Sequence, residues 1–243
     1  MRGSPESLAA LRLLLAERFP QAAPRPAAVL PTGVAAIDEA GDGGLPLGGI
    51  TEVVAPAPSS GGQLLISHLL AATRARRMRA ALVDALDAFD PQSHEPSLLQ
   101  HLVWVRCRTL DEAMHAADIL VRDANLALVM VDLRGLAWRA LRGVPATTWY
   151  RLQRALERTD MAMVVFTAAA PFRQTLRQAQ GPERVEEPKV PSGVEGLVGS
   201  ARLRLHLAGA FQLDALAGVQ ARLAFHLPAE VQRQRIHEER RIA

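Results

Sequence analysis

The chain opens with apolar residues at helical spacing: Leu8, Leu11, Leu14 and Leu15 form one stripe within Ser4 to Phe19, with Glu6 in the first turn. An amphipathic helix is predicted there, to pack on its own domain or on a partner. Pro20, Pro24, Pro26 and Pro31 then interrupt the chain, so Gln21 to Leu30 reads as a linker or extended arm. From Gly48 the periodicity changes to short apolar runs separated by helical stretches. Ile50 to Val54 is a strand, Ala55 to Gly62 a loop, and Gln63 to about Arg76 an apolar helix. Ala80 to Val83, closed by Asp84, and Leu102 to Val105 are further strands. Leu110, Met114, Ala117 and Val121 define a helix over Leu110 to Asp123. Leu126 to Val131 is a strand ending in Asp132. A helix with Trp149, Leu152 and Leu156 precedes the strand Ala162 to Phe166. Continuous apolar strands alternating with helices predict an α/β fold, its mainly parallel sheet covered on both faces. Pro171 to Gly199 lacks periodicity and reads as a long mobile loop. Strands at about Ala201 to Leu207 and Ala221 to Leu227 lead to a charged tail. The chain thus divides into residues 1–30 (helix and connector), a core at 31–228, and a tail at 229–243. No internal repeat is present.

Composition narrows the function classes. Apolar residues make up 49% of 243, ample for a core, and the net charge is only +3. Cys107 is the single cysteine, so an intramolecular disulfide framework or a cysteine-based zinc site is excluded. A lone thiol suits a reducing cytoplasm. The apolar runs are short and broken by Arg or Asp, and no secretory signal is read at the start, so no membrane partner is expected. The seven histidines show no metal-ligand spacing. Lys189 is the only lysine among 28 cationic residues.

In a parallel sheet, ligands gather beyond the carboxyl ends of the strands. Pro58-Ser59-Ser60-Gly61-Gly62-Gln63, Asp84 and Asp132 should meet there. The small residues Ser59, Ser60, Gly61 and Gly62 would let backbone N–H groups face phosphates. Such a loop also needs a lysine on the terminal phosphates and a hydroxyl on magnesium. Gly62 and Gln63 stand in those positions, and Lys189 is far along the chain.

Together these segments resemble the RecA recombinase family. Leu30-Pro31-Thr32-Gly33 with Ile37-Asp38, Gly43-Gly44-Leu45-Pro46-Leu47-Gly48 and Ile50-Thr51-Glu52-Val53 look like its opening segment. Pro58-Ser59-Ser60-Gly61 looks like its phosphate loop, Asp84 to Pro91 like its second-strand motif, and Val129-Met130-Val131-Asp132 like its magnesium-side strand. Within the family the best match is the ImuA type, small RecA-like proteins of mutagenic repair lacking RecA's C-terminal domain. Leu86 stands where the family's water-activating glutamate would be, and Thr167-Ala168 replace its nucleotide-sensing Asn-Gln pair. Losing the lysine, hydroxyl, base and sensor together argues against hydrolysis. No catalytic residue, cofactor or metal is expected, and Asp132 is read as a hydrogen-bonding carboxylate.

The resemblance also implies that the loops after the Asp132 and Phe166 strands face DNA. The first carries Arg134, Arg139 and Arg142 around Trp138. The second carries Arg173, Arg177 and Arg184, opposed by Glu183, Glu186 and Glu187. Arginine forks suit phosphates, and Trp138 could stack on a base. The implied role is a non-enzymatic adaptor in damage-induced (SOS-type) translesion synthesis. Its implied partners are a Y-family-polymerase-like protein and a translesion polymerase, with DNA or RecA as further candidates. The alternatives are an active nucleotide-dependent DNA-binding ATPase and a SulA-like inhibitor of cell division.

Overall fold

The computed structural model describes residues 28–55, 60–168, 197–207 and 229–233. The expected helix at Ser4 to Phe19, residues 21–27 of the connector, residues 171–196 of the long loop, the strand at Ala221 to Leu227 and residues 234–243 of the tail lie outside the described residues.

A short antiparallel pair, β1 (Val29–Leu30) with β2 (Leu45–Pro46), brackets α1 (Ala35–Ala40). Asp38 organises this entry. Its carboxylate accepts from Thr32 N–H at 2.8 Å, Thr32 Oγ1 at 2.7 Å and Gly33 N–H at 3.0 Å. The Thr-Gly…Ile-Asp segment is therefore a self-capped turn that delivers the chain to the sheet.

The main elements then follow in order: β3 (Gly49–Ala55), α2 (Gly62–Ala75), β4 (Ala80–Asp84), α3 (Pro96–Leu99), β5 (Leu102–Arg106) and α4 (Leu110–Asp123). After them come β6 (Leu128–Asp132), α5 (Trp138–Arg142), α6 (Ala146–Leu156), β7 (Ala162–Ala168), β8 (Leu203–Leu207) and β9 (Ala229–Arg233). The sheet runs β5-β4-β6-β7-β3-β8-β9, parallel throughout except for the final pair. Alternation along the strands separates two cores. Val53, Leu82, Met130, Val164 and Phe166 face one side with Leu65, Ile66 and Leu69 of α2. Ile50, Val83, Val131 and Val165 face the other with Ala117, Trp149 and Leu152. Each such side chain contributes about 1.5–3 kcal/mol on full burial. Burial on both faces is why these strands read as unbroken apolar runs.

The sheet extends one strand beyond the sequence reading. Ala229–Arg233, assigned there to the tail, pairs antiparallel with β8 as an edge. Its polar Ala-Glu-Val-Gln-Arg sequence hides it from an apolar-run criterion, and polar composition is what an edge strand tolerates. Trp149 is buried, while Trp104 on the opposite edge strand is half-buried. No helix among the described residues is long and apolar enough to cross a membrane.

Candidate functional site

The carboxyl ends of β4 and β6 lie side by side, with Asp84 in register with Asp132, and Asp132 in register with Phe166 of β7. The helix following β3 starts beside them. Gly61 caps α2 at φ 90°, a left-handed backbone suited to glycine. Gly62 and Gln63 open the helix, and Ser60 and Gly62 are buried. Ser59 lies outside the described residues.

What fills this corner is a side chain of the protein itself. Arg134 Nε donates to Asp132 Oδ1 at 2.8 Å and Nη2 to Oδ2 at 2.5 Å, a two-pronged pair, while the Arg134 backbone N–H adds a bond of 3.2 Å. The guanidinium lies over the Phe166 ring, 5.2 Å from its centroid. A β-carbon on Gly62 would lie only 1.8 Å from Arg134 Nη1. The absence of a side chain at 62 and the presence of this arginine are thus one arrangement. The two side chains are 17% and 8% exposed, so the pair is shielded from water and geometrically fixed.

Other positions around the corner also make structural contacts. Asp84 accepts from Ala88 N–H at 2.9 Å, Phe89 N–H at 2.8 Å and Trp104 Nε1 at 3.3 Å, which shapes the turn after β4. Phe89 stacks on His94 and meets Trp104 edge-on. His94 Nδ1 and Ser67 Oγ share a hydrogen bond of 3.1 Å; burial lowers the His94 pKa, and Asp90 opposes that shift. A β-carbon on Gly135 would lie 2.4 Å from Leu86 Cδ1, so Leu86 rests directly on that backbone. Hydrocarbon occupies the place where the resemblance would put a carboxylate. Thr167 Oγ1 donates to Glu52 Oε1 at 3.2 Å instead of facing a ligand.

Glu52 was visible in the sequence only as part of a motif. It is fully buried and also accepts from Leu197 N–H at 2.9 Å, Val198 N–H at 3.4 Å and Arg204 Nε at 2.9 Å. One carboxylate thereby ties β3, β7, β8 and residues 197–198 together. The available signal was a glutamate inside the apolar run Ile50 to Val54, matched by Arg204 within the late strand.

The residues predicted to face DNA separate into three groups. Arg134 is turned inward onto Asp132, contrary to its assignment, because a carboxylate two residues away offers a shielded two-pronged partner. Arg139 and Arg142 are exposed on α5 without an ion pair among the described residues. Trp138 is partly buried and packs against the second core. Arg173, Arg177 and Arg184 lie outside the described residues. No group of three or more His, Cys, Asp or Glu side chains among the described residues could hold a metal ion.

A nucleoside triphosphate with magnesium does not fit the described corner. Arg134 takes the volume in front of Gly62 and neutralises Asp132, Gln63 replaces the metal-binding hydroxyl, and Leu86 offers no base.

Comparison with known proteins bears on the sequence likeness and the fold. The family described as the RecA N-terminal domain matches residues 19–139. Protein RecA of Clavibacter michiganensis subsp. michiganensis is 39% identical over 111 residues, covering 44% of this chain and 30% of that protein. Protein RecA of Nocardia farcinica is 35% identical over 118 residues, covering 47% and 34%. The matched segment therefore spans about a third of each relative. In structure, the crystal structure of the RadB recombinase superposes with a TM-score of 0.52 at 19% identity, covering 73% of this chain and 83% of that one.

Proposed function

The chain is RecA-like in sequence across residues 19–139 and RecA/RadB-like in fold, and from that premise we propose that it is a non-catalytic adaptor of error-prone DNA repair, of the ImuA type. The observation that carries this reading is the Arg134–Asp132 pair set against Gly62. In a working phosphate loop a lysine meets the terminal phosphates and a strand-end carboxylate serves the metal side. Here the lysine is replaced by glycine, the space is taken by an arginine, and that arginine neutralises the carboxylate. Four separate requirements of hydrolysis are missing, while the sheet that positioned them is intact.

A fold retained without its chemistry serves recognition. The partners that the ImuA likeness suggests are a Y-family-polymerase-like protein and a translesion polymerase, with contacts through residues 1–20, the arginine-rich end of the chain, or the exposed Arg139 and Arg142. The test is purification of the tagged chain from damage-treated cells, with the co-purifying proteins identified. Co-purification of polymerase subunits that is lost on deleting residues 1–20 or 234–243 supports the adaptor reading; the second deletion spares β9. Recovery of a tubulin-like division protein without polymerase subunits would contradict it.

A further inference from the structure

We propose that the amino-terminal edge of the sheet, opposite the degenerate phosphate loop, is a surface for duplex DNA that grips the phosphate backbone independently of base sequence. This edge lies one strand length from Asp84 and Asp132, about 15 Å away. There α2 ends at Ala75, and the chain passes through Arg76 and Arg77, the latter held at φ 55°, into β4 at Ala80. Arg74, Arg76, Arg77 and Arg79 are all exposed on this turn. Across the same edge, the end of α6 presents Arg154 and Arg158, also exposed.

Three cavities of about 580, 650 and 650 Å³ run along the edge. Arg74, Arg77 and Arg79 line the first; Arg77, Arg79 and Arg158 line the second; Arg154 and Arg158 line the third. Neighbouring cavities share residues, so they form one open channel. Its acidic residues leave most of the charge uncompensated. Only Glu157 and Asp160 line it, Glu157 reaching Arg202 at 3.8 Å, against Arg74, Arg77, Arg79, Arg154 and Arg158; Arg122 and Arg151, also in the third cavity, pair with Asp118 at 2.9 and 3.3 Å. None of Arg74, Arg76, Arg77, Arg79, Arg154 or Arg158 makes an ion pair among the described residues. Their side-chain bonds are to neutral groups: Arg74 to Gln100 at 2.8 Å and Arg76 to the Ala72 carbonyl at 2.9 Å.

Helix dipoles account for part of this. Cations suit helix carboxyl ends, but the effect fades within a turn and does not call for four arginines between residues 74 and 79. The charge fits an anion from outside. No Phe, Tyr or Trp lines the channel to stack on a base or anchor a peptide, and the one ring there, His101, is held by a 2.9 Å hydrogen bond between its Nε2 and Thr73 Oγ1. Guanidinium forks with Gln100, Asn125 and Thr159 between them suit a repeating phosphate chain better than an acidic peptide. The surface rests on this geometry and stands whether or not the adaptor role does.

The test is anisotropy of a labelled duplex of roughly 30 base pairs and random sequence, titrated with the full chain at several salt concentrations. Replacing Arg74, Arg77, Arg79 and Arg158 together by Gln is expected to weaken binding at least about tenfold and to flatten the salt slope by about three to four. Replacing Arg139 and Arg142 by Gln should change affinity less than about threefold. Unchanged binding by the fourfold variant, or a loss confined to the Arg139 and Arg142 variant, overturns the proposal. Binding of polyglutamate but not of duplex overturns it in favour of an acidic protein partner. Should the fourfold variant fail to fold, phenylglyoxal modification of the unaltered chain decides: duplex must protect Arg77, Arg79 and Arg158, and equal modification with and without DNA overturns the assignment.

Discussion

Two arginine–carboxylate pairs stand in the same half of the sheet and do different work. Glu52 and Arg204 lie 152 residues apart in sequence, and the glutamate is fully buried with its oxygens shared among four donors. Asp132 and Arg134 are two residues apart, slightly exposed, and face a glycine. The first pair is tied into three strands and cannot lose a member without leaving a buried charge. The second is a local latch, whose carboxylate takes its hydrogen bonds from Arg134 alone among the described residues. Similar chemistry thus acts once as a staple across strands and once as a local pair set against Gly62.

The comparison predicts a hierarchy of effects. Glu52→Ala should be the most damaging, costing about 3–5 kcal/mol in urea unfolding, because Arg204, Thr167 and the backbone N–H groups of residues 197 and 198 all lose their shared acceptor. A cost below about 1 kcal/mol would remove the distinction between the pairs. Asp132→Ala should cost less, about 1–3 kcal/mol, since only Arg134 loses its acceptor; a loss as large as that of Glu52→Ala would show that the latch is also a staple. Gly62→Ala is the sharper probe of the corner. At an unstrained site such a change gains about 0.4–1 kcal/mol, but here the new methyl meets Arg134, so the gain should vanish. It should return in an Arg134→Ala background, with a coupling of about 1 kcal/mol in the double-mutant cycle; strict additivity would mean that the two residues do not share the space.

The smallest effect concerns pH. Burial lowers the pKa of His94, and burial together with the nearby Arg74 lowers that of His101. A histidine depressed in the fold binds protons less readily than in the unfolded chain, so its stabilisation is complete above the ordinary value of 6.5 and is lost as pH falls below it. Stability should therefore decline with acidification below about 6.5, and less steeply in His94→Gln. Equal slopes for both proteins would remove His94 from the account.

Much of the architecture was legible because strands buried on both faces must be apolar throughout, as Ala80 to Val83 and Leu126 to Val131 are. The lack of a lysine at Gly62 was legible because Lys189 is the chain's only lysine. The latch was not legible. An arginine after a strand-end aspartate has no preferred direction until Gly62 and Phe166, distant in sequence, form its pocket. Ala229–Arg233 escaped because an edge strand needs no apolar run. The basic edge escaped because an arginine-rich composition conceals any one cluster until the fold brings Arg77 and Arg158 to the same channel.

The central claim, that the site has exchanged catalysis for an internal latch, is tested most directly by steady-state phosphate release from magnesium-ATP, with and without single-stranded DNA. Release at background is expected for the unaltered chain and for Gly62→Lys, because Leu86 still leaves the attacking water without a base. Release above background by the unaltered chain that disappears in Asp132→Ala would contradict the account.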